Sequence, residues 1–418
     1  MIYGIKDMPR TLGEWFLFTV QQVLSVFVAT LLIAKICNTP TDACLVGACL
    51  GTLVYQIITR FRSPMFISSC GATAGAVISA LSIGGYTAVF IGGAVMCAIY
   101  CLFALLVKKY GVNSINKFLP PTIVGTITLV IGINLSKFIP TYLTTNGVIT
   151  FAGTLVAIFT MLVIALCSYK GKGILKSIPF LVGLAAGYIL ALAITLLGIA
   201  PLVDLSLFNN VSLFQIPDFT FKYIDFGNIT STLLLSVLII YLPVSLAGLC
   251  EHISDHKVLS NIIKTDLTID PGLDKTLVGD GVASMVGSFV CGLQNTSYGE
   301  SIATIGMSKV ASVAIITTSA LTLGALAFIG PVQALIASIP SVCFAGAAMV
   351  LYGYIASSGL RTLIDANIDF SKNKNLIIIS VILTSGVSGM FFYGEVFSGV
   401  SLALVLGILL NLILKESK

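Results

Sequence analysis

Two short runs hold the side chains that could do chemistry. In the first, Gln294-Asn295-Thr296-Ser297-Tyr298-Gly299-Glu300-Ser301, a carboxylate stands with hydrogen-bonding groups inside otherwise apolar sequence. A carboxylate in hydrocarbon is costly unless it is paired, protonated or facing a wet cavity, so Glu300 is a binding-site candidate, with Asn295 and Ser301 in support. The second run, Glu251-His252-Ile253-Ser254-Asp255-His256, ends another long apolar stretch and holds both histidines of the chain. On a helix Glu251 and Asp255 share one face, and His252 and His256 form a neighbouring stripe. Two acids on one face can share a proton, which suits a group that loads and releases one. The histidine spacing also fits a zinc site with Glu251, but a zinc buried there would have little to act on, and no metal is expected. The plainer reading of Asp255 and His256 is a solvated helix end at the cytoplasmic interface. Glu251, which follows Leu246-Ala247-Gly248-Leu249-Cys250, is harder to place in water. Asp280, in Leu277-Val278-Gly279-Asp280-Gly281, either holds the polar knot or caps a helix. Gln21 or Gln22 of the first apolar stretch either faces the site or bonds helix to helix, and Glu395 beside Tyr393-Gly394 reads as a solvated outer-loop residue.

The elements that carry these residues are set by composition. With 57% hydrophobic and 9% charged residues and a mean hydropathy of +1.05, the chain lies far outside the range of soluble domains. It is an all-α polytopic membrane protein with about fourteen apolar segments, most near the ~20 residues that span a ~30 Å core. They include stretches near 65–83, 85–107, 228–252, 275–293, 295–307, 332–356, 375–393 and 397–414. The first stretch lacks a small-residue cleavage site and reads as a retained span. With the amino terminus in the cytoplasm, only Lys35, Lys137 and Lys222 of the 22 Lys and Arg fall outside. Both termini are therefore expected in the cytoplasm, and the net charge of +5 reports topology, not nucleic-acid binding. The ten cysteines, scattered without CxxC pairs, read as small hydrophobes.

The polar connection from Ile199 to Asp225 divides the apolar segments into about seven before and seven after. An odd number per half inverts the topology of the second half, and inverted repeats commonly bring discontinuous helices of the two halves together at a midplane site. The third segments of the two halves correspond: Pro64-Met65-Phe66-Ile67-Ser68-Ser69-Cys70-Gly71-Ala72-Thr73 and Gln294 to Ser301. Each suits an extended piece leading into a half-helix whose free N–H groups meet a ligand. The competing reading is that Ser and Gly merely allow helices to pack closely.

Together, Glu251-His252, Asp270-Pro271-Gly272-Leu273, Asn295-Thr296-Ser297-Tyr298-Gly299-Glu300 and Leu351-Tyr352-Gly353 make the chain resemble the nucleobase–ascorbate transporter (nucleobase:cation symporter-2) family, and within it the bacterial uracil permeases, over essentially its whole length. The resemblance implies fourteen spans in two inverted repeats of seven, short antiparallel strands in segments 3 and 10, and two domains. A core would comprise residues 1–108 and 226–329, and a gate residues 109–225 and 330–418. It also implies that Glu251 and Glu300 hydrogen-bond the edge of a base, that the backbone around Gly299 and Gly71, next to Cys70, supplies amides, and that Tyr298 lines the pocket. The chemistry fits, since a uracil edge alternates N–H donors with carbonyl acceptors. Two departures stand out. Where uracil permeases often carry a histidine four positions after the glutamate, this chain has Asp255, with His256 displaced by one, so the proton-linked role either passes to Asp255, with His252 and Glu251 as partners, or is lost. Where they often carry Phe in segment 3, this chain has Gly71, which implies a wider pocket.

The expected function is proton-coupled uptake of a nucleobase, uracil foremost, across the cytoplasmic membrane of a bacterium by movement of core against gate. The alternatives are a purine symporter (xanthine, hypoxanthine or guanine) of the same family and, from another class, an anion exchanger or channel. The acids argue against an anion site. No nucleophile with a base partner suggests an enzyme. The expected partners are a small nucleobase, the lipid bilayer and, as an alternative to a monomer, a second copy in a homodimer. The coupling ion is a proton, with no cofactor.

Overall fold

Caps and breaks decide where these apolar stretches become separate elements. The computed structural model describes residues 1–111, 120–145, 148–172, 175, 178–209, 211–388, 391–392 and 397–414. Lys117, Lys176, Glu395, Lys415 and Lys418 lie outside the described residues. Helix α1 (Leu12–Ile36) opens on a capping box in which Thr11 and Glu14 satisfy each other's backbone, so Glu14 serves the helix end. It is followed by α2 (Thr41–Ile58), strand β1 (Ile67–Ser69) and α3 (Ala74–Tyr110). At ~1.5 Å per residue α3 is too long for one ~30 Å crossing. It is broken at Gly84 and Gly85, and the φ of +58° with ψ of −150° at Gly85 is open to glycine and strained for other residues. Residues 74–83 are thus a half-helix ahead of a full span.

The chain continues through α4 (Pro121–Leu135), α5 (Ile139–Leu143), a small ladder of β2 (Thr144–Thr145) with β3 (Val148–Ile149), α6 (Phe151–Lys170) and α7 (Pro179–Leu196). Three 3-10 turns, at Leu205–Phe208, Thr220–Tyr223 and Phe226–Asn228, shape the connection to α8 (Ser231–Ile263). Next come α9 (Leu273–Val290), β4 (Asn295–Ser297), α10 (Gly299–Ser308) and α11 (Val313–Leu326). The stretch expected as one segment near 332–356 is instead two helices, α12 (Gly330–Ser338) and α13 (Ser341–Asp365), because Pro340 cannot continue a helix and restrains the residue before it. The described chain closes with α14 (Asn373–Val387), a ladder of β5 (Phe391–Phe392) with β6 (Phe397–Ser398), and α15 (Val400–Ile413). Eight helical stretches among the described residues are long and apolar enough to cross a membrane, and shorter apolar helices accompany them. The protein is a polytopic all-α membrane protein with few strands.

The two interrupted segments meet. Strands β1 and β4 pair antiparallel with Ile67 opposite Ser297, Ser68 opposite Thr296 and Ser69 opposite Asn295, and the amide of Cys70 extends the ladder to the Gln294 carbonyl at 2.9 Å. All six strand residues are buried, so the outer edges of the ribbon need partners too. Side chains supply them. Thr52 Oγ1 accepts from the Ile67 amide at 3.0 Å and donates to its carbonyl at 2.8 Å. Ser284 Oγ donates to the Asn295 carbonyl, and Asp280 accepts from the Ser297 amide at 3.4 Å. Asn295 Nδ2 donates to the Gly47 carbonyl at 2.7 Å and so pins β4 to α2. Against the ribbon pack α1, α2, α8 and α9, with α3 on α9 and α11 on α2 behind them, while α4, α6, α7 and α13 pack with one another beside them.

Candidate functional site

The ribbon ends where two helices begin, and that junction builds the site. The half-helix of α3 starts just beyond β1, with Thr73 Oγ1 donating to the Cys70 carbonyl at 3.0 Å. Helix α10 starts just beyond β4 with no side-chain cap at Tyr298, so the amides of Gly299, Glu300 and Ser301 lack intrahelical partners. Both helix starts border one small cavity of about 80 Å³. Its lining includes Cys70, Gly71, Tyr298, Gly299, Glu300 and Glu251, so the six residues expected to contact a ligand come together. Glu251 reaches it from the middle of α8, while Glu300 stands in the first turn of α10, where the helix dipole favours a negative charge.

Glu251 is also the junction of three spaces. Besides the small cavity, it lines a cleft of about 580 Å³ that reaches Lys257, Arg361 and Asp365. It lines another of about 580 Å³ beside Phe180, Met307 and Tyr354, which Glu300 and Gly299 share. Glu251 is open to these spaces, as a carboxylate at membrane depth must be unless it is paired or protonated.

Asp255, one turn further along α8, lines the first cleft, and its Oδ2 accepts from Ser297 Oγ at 2.8 Å. The acid on the Glu251 face is therefore bonded to β4 itself. His252 turns the other way, behind the ribbon, with Nδ1 against Asp280 Oδ2 and Nε2 3.1 Å from Thr276 Oγ1. His252 and Asp280 are fully buried and do not line the small cavity; they brace the back of β4. The solvated helix-end reading of His256 is corrected. Its ring is fully buried, with Nδ1 donating to the His252 carbonyl at 2.8 Å and Nε2 2.7 Å from the Tyr55 hydroxyl, because α8 runs on to Ile263 and keeps this face against α2. Gln22 donates to Ser301 Oγ, which holds α1 to the first turn of α10.

Beside Gly71 the wall of the cavity is aliphatic. A Cβ on Gly71 would lie 3.4 Å from the Cδ1 atoms of both Ile33 and Ile355, so aliphatic side chains occupy the space a larger residue would fill. Sequence reasoning missed these two, together with Thr128, Ile131 and Ser69, which line the same cavity. Ser69 Oγ is buried without a hydrogen-bond partner. Ser69 lay within the run that drew attention, whereas an isoleucine in an apolar helix carries no mark that it faces a ligand.

A model of the Permease family matches residues 13–394, nearly the whole chain. The chain belongs to the nucleobase–ascorbate transporter family. As a member of this permease family it is a transporter, not an enzyme. It is 34% identical to the uracil permease of Bacillus caldolyticus, over 99% of this chain and 94% of that one, and 31% identical to the uracil permease of Escherichia coli (strain K12), with the same coverage. Among solved structures it resembles the transmembrane domain of a cyanobacterium bicarbonate transporter, BicA, with a TM-score of 0.66 over 97% of this chain and 98% of that one. At 16% identity that likeness concerns the fold alone.

Proposed function

We propose that this transporter carries a nucleobase, uracil foremost, into a bacterial cell in exchange for the free energy of a proton gradient. One observation carries the reading: Glu251 of α8 and Glu300 of α10 border one small cavity at the end of a buried strand pair, beside helix-start amides. Carboxylates accept from ring N–H groups and amides donate to ring carbonyls, the two halves of what a uracil edge requires. The names of the curated relatives point the same way. A pyrimidine is favoured over a purine because the cavity is small and Ile33 and Ile355 fill the space beside Gly71. An anion is disfavoured because, among the described residues, no Lys or Arg lines this cavity while two acids do.

Transport proceeds by movement of a core (residues 1–108 and 226–329) against a gate (residues 109–225 and 330–418). The packing of α3 on α9 and of α4 on α13 supports this division, since each pairs an element of the first half with one of the second. With both termini cytoplasmic, the cleft past Lys257 and Arg361 leads to the cytoplasm, and the molecule faces inward. Asp255 carries the proton, because it stands one turn from Glu251 and bonds to the strand that shapes the site. The test is uptake of radiolabelled uracil into proteoliposomes with an inward proton gradient, in competition with purines and with sulfate and bicarbonate. Accumulation that collapses with a protonophore and yields to uracil alone supports the reading; accumulation of an anion without a base overturns it.

A further inference from the structure

We propose that Ile33 and Ile355 form a two-sided aliphatic clamp over Gly71 that sets the size of the ligand. This rests on the nucleobase reading above and assigns the residues that choose among bases. Both Cδ1 methyls lie 3.4 Å from the place where a Gly71 Cβ would be, so three residues from β1's end, α1 and α13 converge at one point. A methyl at 71 would stand in contact with both isoleucines, and a ring as large as that of phenylalanine there would compete with them and with the ligand for the space between them.

The clamp is also a partition. Ile355 and Leu351, one turn apart on α13, line both the small cavity and the 580 Å³ cleft beside Phe180. Truncating Ile355 therefore thins the wall between the two spaces and makes room for a ligand larger than a single ring. Ile33 backs the opposite wall from within the core and is nearly inaccessible. Because Ile33 belongs to the proposed core and Ile355 to the proposed gate, the two jaws close on the ligand only when the domains come together. A base too large for the gap holds them apart, so size selection acts on closure as well as on binding.

The experiment measures displacement of radiolabelled uracil by unlabelled uracil and by xanthine from the purified transporter, in the parent, Ile355→Ala, Ile33→Ala, Gly71→Phe and Gly71→Phe/Ile355→Ala. We expect Ile355→Ala to raise the affinity for xanthine relative to uracil by about tenfold, the scale on which one side of an apolar pocket discriminates. Ile33→Ala should shift the ratio in the same direction. Gly71→Phe should abolish uracil binding, and the second change at 355 should restore it. Ile355→Ala leaves the Gly71 turn untouched, so it decides the matter even when Gly71→Phe does not fold. An unchanged ratio in Ile355→Ala that still binds uracil overturns the clamp and leaves the nucleobase reading standing. A parent that binds no nucleobase overturns both.

Discussion

Asp255 accepts a hydrogen bond from Ser297 at 2.8 Å, which couples the face of α8 that bears Glu251 to the strand that ends at the helix start bearing Glu300. A carboxylate acts there only as an acceptor, and a protonated acid also offers a donor, so gaining a proton changes how α8 holds β4. Asp255→Asn removes that choice while keeping the shape. It should retain uracil binding and uracil exchange across the membrane but lose uptake driven by an inward proton gradient. Linkage requires the pH dependence of uracil affinity to flatten as well. Gradient-driven accumulation at the parent's level in Asp255→Asn places the proton on another group.

His256 serves a different purpose. Its Nε2 lies 2.7 Å from the Tyr55 hydroxyl, which is 2.9 Å from Ser63 Oγ, and all three residues are fully buried. Tyr55→Phe leaves the histidine nitrogen without its partner, at a cost of about 1–3 kcal/mol. The expected result is a lower melting temperature in detergent with uracil affinity and proton coupling intact. Loss of coupling at unchanged stability would make the Tyr55–His256 contact part of the transport cycle.

Much of this arrangement could be read from the chain and some could not, for physical reasons. Glu251, Glu300 and the run ahead of Gly71 stood out because polar groups are rare at membrane depth, and the position of the third segment in each half pointed to their meeting. The break at Gly84–Gly85 was legible from segment length, whereas Pro340 was absorbed into one long apolar stretch. Helical periodicity put Asp255 on the face of Glu251 but could not tell whether the next stripe meets water or α2, which depends on where α8 ends. The isoleucines at 33 and 355 were invisible, since their role comes from a juxtaposition of distant helices.

Close approach of helices should be the second source of fragility. A methyl on Gly132 would strike the backbone of Ala356, 2.8 Å from its Cα, where α4 crosses α13. Backbone cannot give as a side chain can, so Gly132→Ala should cost about 1–3 kcal/mol. Gly353→Ala, with nothing within 4 Å of its new methyl, is the matched control and should melt no lower than the parent. Equal melting temperatures for the two variants would mean that α4 and α13 separate at little cost.

The unpartnered hydroxyl of Ser69 is expected to find its partner in the ligand. Ser69 borders the cavity, and a neutral hydrogen bond is worth about 0.5–1.5 kcal/mol net. Ser69→Ala should weaken uracil binding by roughly two- to tenfold, a range set by that energy, with little effect on stability. An unchanged dissociation constant would show that the hydroxyl stays unbonded in the complex.

The most direct measurement is equilibrium binding of radiolabelled uracil to purified Glu300→Gln and Glu251→Gln beside the parent, with gel filtration to confirm that each variant is folded. Glutamine offers an amide donor where the carboxylate offered two acceptor oxygens, and it forfeits charge-assisted bonds of about 1.5–3 kcal/mol. The account predicts that each variant loses at least about tenfold in affinity, the lower end of that range, and that the purines bind no better. Folded Glu300→Gln and Glu251→Gln that both bind uracil as tightly as the parent would contradict it, and the ligand would have to be sought away from the end of the β1–β4 ribbon.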